Sequence, residues 1–219
     1  MSKISIKSIA IQGRSGYDIE IMDKDAVLQD LLDEVNRYIA EGSPRRLWPA
    51  TKLSSCYGCD LCCHEAIPLT SVDVISLCSL KRISLVQAYK YLWVEARDKV
   101  IDITLRRNRE GRCIFLQSDA TCSIYAGRPF VCQTYLCCPT TSQVEELRSQ
   151  VVNMGMDELI RITMDAFAFR GKALPLNRSR NARIDRRDWG KNSFTGKKDY
   201  AGIRIKNVLS SDLFKHMLL

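Results

Sequence analysis

Residues 56–63 read CYGCDLCC, four cysteines within eight positions. Two-residue spacers in one tight turn let thiolates converge on a common centre, and sulfur is a soft donor suited to zinc, Cu(I) or iron–sulfur clusters. Without a metal, such a group of thiols repels itself when ionised and oxidises readily, which makes metal binding a better reading than a redox dithiol. Further along, Cys113 opens CIFL, and Cys122 and Cys132 bracket CSIYAGRPFVC. The candidate metal ligands are therefore Cys56, Cys59, Cys62, Cys63, Cys113, Cys122 and Cys132. One tetrahedral zinc or one cubane cluster uses four ligands, so seven imply two sites or spare cysteines. Cys56, Cys59 and Cys62 have the spacing of a bacterial ferredoxin, but the fourth position of that run is Ala66. A remote residue must complete the set, with Cys132 the first choice and Cys138, which precedes Pro139, the second.

The chain has 219 residues, ten of them cysteine, and is 46% hydrophobic. That composition suits one core with a peripheral extension and excludes a disordered, collagen-like or coiled-coil protein. Residues 1–16 lack the apolar stretch of a secretion signal, and no run approaches the ~18 apolar residues of a membrane span. A cytoplasmic location with no membrane partner is the expectation, and among reducing thiols clustered cysteines bind metal more often than they pair. No dinucleotide fingerprint, phosphate loop, nucleophile elbow or HExxH motif is present. Of the two histidines, His64 follows Cys63 directly, yet the neighbour of a ligand usually points the other way. His216 sits in an apolar C-terminal run. Arg128 either offsets the negative charge of a thiolate group or caps nearby carbonyls. Asp60, Glu65 and Asp119 are too scattered to form a catalytic pair.

Patterning predicts an α+β fold, small and mostly helical, with short β-hairpins around a cysteine-ligated metal centre. Four regions are expected: residues 1–55, a hairpin and helix packed on the body; 56–140, the cysteine region; 141–171, a helical pair; and 172–219, a basic segment. Alternating isoleucines predict strands over 4–11 and 17–21 around Gly13 and Gly16. A helix follows from an Asp23 cap to Ile39, with Gly42 and Pro44 as stops. Thr70 with Asp73, and Ser84 with Gln87, fit capping boxes for helices over 71–80 and 85–98. Cys78 reads as a small buried hydrophobe. Segments 100–105 and 113–116 look like a second hairpin, and Arg128-Pro129 like a helix start. Helices over 143–153, capped by Ser142 with Glu145, and over 157–170, ended by Gly171, complete the chain.

The order CxxCxxCC, a capped helical spacer, C-x-F-L and C-x-I-Y-x-x-R-P-x-x-C resembles the CxxCxxCC, or YkgJ-type, family of zinc- or iron-chelating domains, which includes the flagellin lysine N-methylases. The resemblance covers residues 56–132, about a third of the chain, with Tyr125, Arg128 and Pro129 as its frame. The family carries glycine after the second cysteine where this chain has Asp60. The resemblance implies that the seven motif cysteines hold an iron–sulfur cluster, of the 4Fe–4S type, or zinc, and the methylases tilt the choice toward iron. It also implies two alternatives: a cluster-dependent methyltransferase that uses S-adenosylmethionine on a protein lysine, and a metal storage or delivery protein.

The net charge of +8 is confined to one end. Residues 1–171 hold 21 Lys and Arg against 21 Asp and Glu, whereas 172–219 hold 12 against 4. An acidic or protein substrate is the partner such a segment suits. Trp189, Phe194 and Tyr200 among the basic residues would be stacking platforms for single-stranded nucleic acid. That reading is less favoured, because Ile203, Ile205, Val208, Leu213 and Phe214 suggest that the end docks back on the body.

Overall fold

The computed structural model describes residues 2–41 and 60–219, which form a small α+β fold of six helices with one two-stranded and one three-stranded sheet. Cys56, Cys59, Gly42 and Pro44 lie outside the described residues. The alternating isoleucines build β1 (Ile4–Ile11) and β2 (Arg14–Ile21), an antiparallel pair. Gln12 and Gly13 form its tip, both at positive φ, 50° and 76°, the geometry of a two-residue turn that matches strand twist. The turn is thus shorter than the Gly13 to Gly16 stretch suggested. Gly16 instead lies inside β2, where a Cβ would sit 2.5 Å from the carbonyl oxygen of Pro139. The first long helix, α1 (Leu28–Ala40), buries Leu28, Leu31, Leu32, Val35 and Tyr38 as one stripe. Its entry is fixed by Asp30, which accepts from the Val27 amide at 2.8 Å. Asp23 is not the cap: its carboxylate closes the preceding turn by accepting from Asp25.

The capping box at Thr70 forms as read. Thr70 Oγ1 accepts from the Asp73 amide and Asp73 accepts from the Thr70 amide, at 3.2 and 2.9 Å, opening α2 (Ser71–Lys81). The box at Ser84 also forms, but the helix expected over 85–98 does not extend beyond one turn, α3 (Leu85–Ala88). A 3₁₀ turn follows, and then β3 (Leu92–Arg97). Leu92, Val94 and Ala96 are fully buried while Trp93 and Arg97 are exposed, a period of two that overrides the helical start. Through a turn with Asp98 at φ 51°, β3 pairs antiparallel with β4 (Val100–Leu105). The predicted pairing of 100–105 with 113–116 is therefore wrong; Cys113 makes only an isolated bridge to Arg107.

After α4 (Phe130–Thr134), the two helices expected beyond residue 141 are one, α5 (Ser142–Ala168), capped by Thr141 rather than Ser142. Gly155 does not break it. A Cβ there would meet Thr70 Cβ at 2.5 Å, so the glycine lets α5 approach the start of α2. α5 packs against α2, α3, α4, α6 and β4, and Gly171 at φ 66° follows its end.

The basic segment is part of the body. β5 (Arg178–Arg180) adds to β3 in parallel, and α6 (Ser211–Met217) closes the chain. Trp189, Phe194 and Tyr200 are 6%, 1% and 6% exposed, which removes them as stacking platforms. Backbone bonds of 2.9–3.0 Å from Leu28 to Ile203, Ile205 to Ala26 and Leu219 to Ile21 stitch the segment onto the N-terminal unit. Several of its cations are met by carboxylates: Arg186 by Asp165, Lys206 by Asp25 and Arg178 by Glu95. Among the described residues, no helix is long and apolar enough to cross a membrane.

Asp73 joins these parts. Fully buried, it accepts from the amides of Thr70 and Phe130 and, at 2.6 Å, from the Tyr200 hydroxyl, which also lies 2.7 Å from Thr70 Oγ1. Burial raises its pKa while those donors pull it back. Tyr200→Phe strips a donor from a buried carboxylate, and a loss of about 1.5–3 kcal/mol is expected from a hydrogen bond of this kind. Urea denaturation should show the midpoint lowered at unchanged slope. Gly155→Ala tests the helix contact. Alanine's propensity favours it by about 1 kcal/mol, but overpacking against rigid Thr70 costs about 1–3 kcal/mol, so the same assay should show net destabilisation.

Candidate metal centre

The second half of the motif lies on a 3₁₀ turn, Leu61–His64, which presents Cys62 and Cys63 side by side. The Cys63 amide donates to Asp60 and its carbonyl accepts from Cys113, both at 2.8 Å, so the turn is tied to the next cysteine fifty residues on. Cys113 and Cys122 belong to one tight excursion: Leu116 bridges to Cys122, and Ser123 donates to the Phe115 carbonyl at 2.9 Å. Cys132 comes from α4, whose first amide, that of Phe130, is held by Asp73 at 2.8 Å.

These pieces enclose a cavity of about 60 Å³ lined by Cys62, Cys63, Cys113, Cys122, Cys132 and Cys137. The remaining wall is largely apolar, with Ile67, Leu105, Phe115, Ile124 and Pro129. The structure thus brings together five of the seven motif cysteines, while Cys56 and Cys59 lie outside the described residues. Cys137 was missed by sequence reasoning. The adjacent pair at 137 and 138 was visible, but the proline beside Cys138 drew the reserve choice to Cys138, whereas the wall contains Cys137. Cys138 is absent from this wall and, like Cys63, Cys122 and Cys132, is partly buried against the core. Cys78 is partly buried against the core and is not part of this wall. His64 is exposed, 3.5 Å from the Asp60 carboxylate, and is also absent from the wall.

The thiols perturb one another. A hydrogen bond with Cys62, burial, and negative charge at Cys62, Cys113 and Cys122 all push the Cys63 thiol far up. Burial raises Cys132, Cys113 and Cys122, and the charges of neighbouring cysteines add to it in each case. Several thiolates cannot share so dry a space unless a cation compensates them; a bound metal reverses the balance and deprotonates coordinating thiols outright. The donor set therefore fits a thiophilic metal or cluster. Among the described residues, no three His, Cys, Asp or Glu side chains converge closely enough to hold an ion by themselves.

One cation already stands at the wall. The Arg128 guanidinium lies 3.9 Å from the centre of the Tyr125 ring and donates through Nη2 to Asn36 Oδ1 at 3.1 Å. Its charge pulls the Cys122 thiol down against the burial effect. Its Nε is buried and has no hydrogen-bond partner among the described residues.

No curated protein and no solved structure matches the chain. Residues 55–154, which contain all seven motif cysteines and the whole cavity wall, match the model of the CxxCxxCC family, described as a "putative zinc- or iron-chelating domain".

Proposed function

We propose that the chain binds zinc or iron in the cavity bounded by Cys62, Cys63, Cys113, Cys122 and Cys132, with Cys56 and Cys59 completing the ligand set. The observation that carries this reading is that thiols from four separated segments meet at one largely apolar cavity. Cys59 is three residues before Cys62, so a chain span of at most about 11 Å keeps it within reach of the same site. Cys137 is a further ligand candidate from the wall itself.

An iron–sulfur cluster, of the 4Fe–4S type, is the preferred form. Thiols distributed around a cavity suit a group with its own dimensions and its own sulfide, whereas zinc would gather four of them to a point. Such a cluster would supply one-electron chemistry, and the chain's own part is to bury it, exclude water and set the charge around it. Ligation would also hold together the short segments between residues 106 and 137, which contain little regular structure beyond α4.

Anaerobic purification followed by iron, sulfide and zinc analysis tests the reading. Iron with matching acid-labile sulfide is the expected result; zinc alone would retain chelation but overturn the cluster, and neither metal would overturn both. Saturable S-adenosylmethionine binding that depends on the cysteines would favour the methyltransferase, and metal transfer to an apo acceptor would favour storage.

Substitutions sharpen the assignment. Cys113→Ser and Cys122→Ser should lower metal affinity by more than the roughly 10–100-fold typical of losing an outer-shell partner. Cys137→Ser should lower it measurably and Cys138→Ser should leave it unchanged, as read by competition with a chromogenic chelator. Stripping the metal should lower the thermal midpoint of the wild type.

A further inference from the structure

The geometry points to Arg128 as a positioning residue of the metal centre, its Nε–H donating to a metal-bound cysteine sulfur while its charge compensates the thiolates. This rests on the metal-binding reading above. Two contacts fix the side chain and a third holds its backbone. Its guanidinium carbon stands 3.9 Å from the Tyr125 ring centre, Nη2 is anchored on Asn36, and its backbone carbonyl accepts from Gln133 Nε2 at 2.7 Å. Asn36 is itself tied to Gln133, whose Oε1 accepts from Asn36 Nδ2 at 3.0 Å. The guanidinium is therefore anchored on α1 through Asn36, which Gln133 of α4 braces in turn, rather than left to sample the solvent.

With Nη2 held by Asn36 and the guanidinium over Tyr125, Nε is the buried donor without a partner among the described residues. A buried N–H with no partner costs about 1–3 kcal/mol, which a protein can readily avoid by substituting a residue without that donor. Nε belongs to a side chain that forms part of the wall beside Cys122 and Cys132. An ionised sulfur at that wall accepts charge-assisted hydrogen bonds, so metal loading would provide the missing acceptor. Lysine could supply the charge but not the planar fork that leaves Nε–H free to donate while Nη2 grips Asn36.

The sign of the effect follows from competition between protons and metal. Compensated thiolates hold the metal to lower pH; without the guanidinium, protonation wins earlier. A loss of about 10–100-fold in affinity, spread over about four thiol protons, moves the pH of half metal release up by about 0.25–0.5 unit. The experiment compares metal-loaded wild type, Arg128→Gln and Arg128→Lys, following metal content against pH and against a chelator, with circular dichroism to verify the fold.

Arg128→Gln should bind at the wild-type stoichiometry yet release metal at higher pH, and Arg128→Lys should recover only part of the difference. An Arg128→Gln curve superimposed on the wild type would overturn the inference. Full recovery by lysine would overturn donation from Nε. If the glutamine variant does not fold, the lysine variant carries the same comparison, and a curve identical to wild type again overturns it. Wild-type protein that carries neither iron nor zinc would defeat the metal-binding reading itself, before any variant is compared.

Discussion

A single buried carboxylate organises the molecule. Asp73 draws in the first amide of α4, closes the first turn of α2 and receives the Tyr200 hydroxyl from the far end of the chain. A buried carboxylate must be satisfied by donors, since an unpaired one is far costlier than a neutral polar group. The donors it recruits fix where α4 begins, and α4 carries Cys132. The cavity wall is thus held in register by an interaction that contains no cysteine. Gly155 permits the same arrangement from behind, since only a residue without a side chain lets α5 press against Thr70.

Much of the local structure could be read from the sequence because it is governed by neighbours. The alternating isoleucines of β1 and β2, the apolar stripe of α1 and the Thr70–Asp73 box depend on contacts within a few residues, and each formed. The errors arose where distant contacts outweighed local ones. Residues 92–97 follow a genuine capping box, yet become a strand because β4 and β5 supply partners on both sides. The single α5 was read as two helices, over 143–153 and 157–170, because the packing that places Gly155 against Thr70, 85 positions earlier, leaves no local mark. Asp23 lost the capping role to Asp30, whose carboxylate lies one turn into α1 and reaches back to the Val27 amide.

The site divides in the same way. Spacing identified the cysteines, because ligand chemistry constrains residue type and separation together. Choosing between Cys137 and Cys138 required knowing which side of the chain faces the cavity, and the irregular backbone there gives no period to count. The basic C-terminal segment was legible as charge but not as architecture. Its aromatic residues are core, and carboxylates from the body and the segment itself meet several of its cations. The most informative cation is Arg128, which belongs to the balanced part of the sequence and would be invisible in any count of net charge.

The dependence of the cysteine wall on Tyr200 has a bearing on biosynthesis. The residue that completes the Asp73 cluster is synthesised 127 positions after it, and the final backbone bond, from Leu219 to Ile21, joins the last residue to the first hairpin. A growing chain exposes all of its motif cysteines while their scaffold is still missing. Its thiols are consequently open to oxidation or to the wrong metal until Tyr200 has been made, and selectivity must come from what the cell supplies in that interval as well as from the finished cavity.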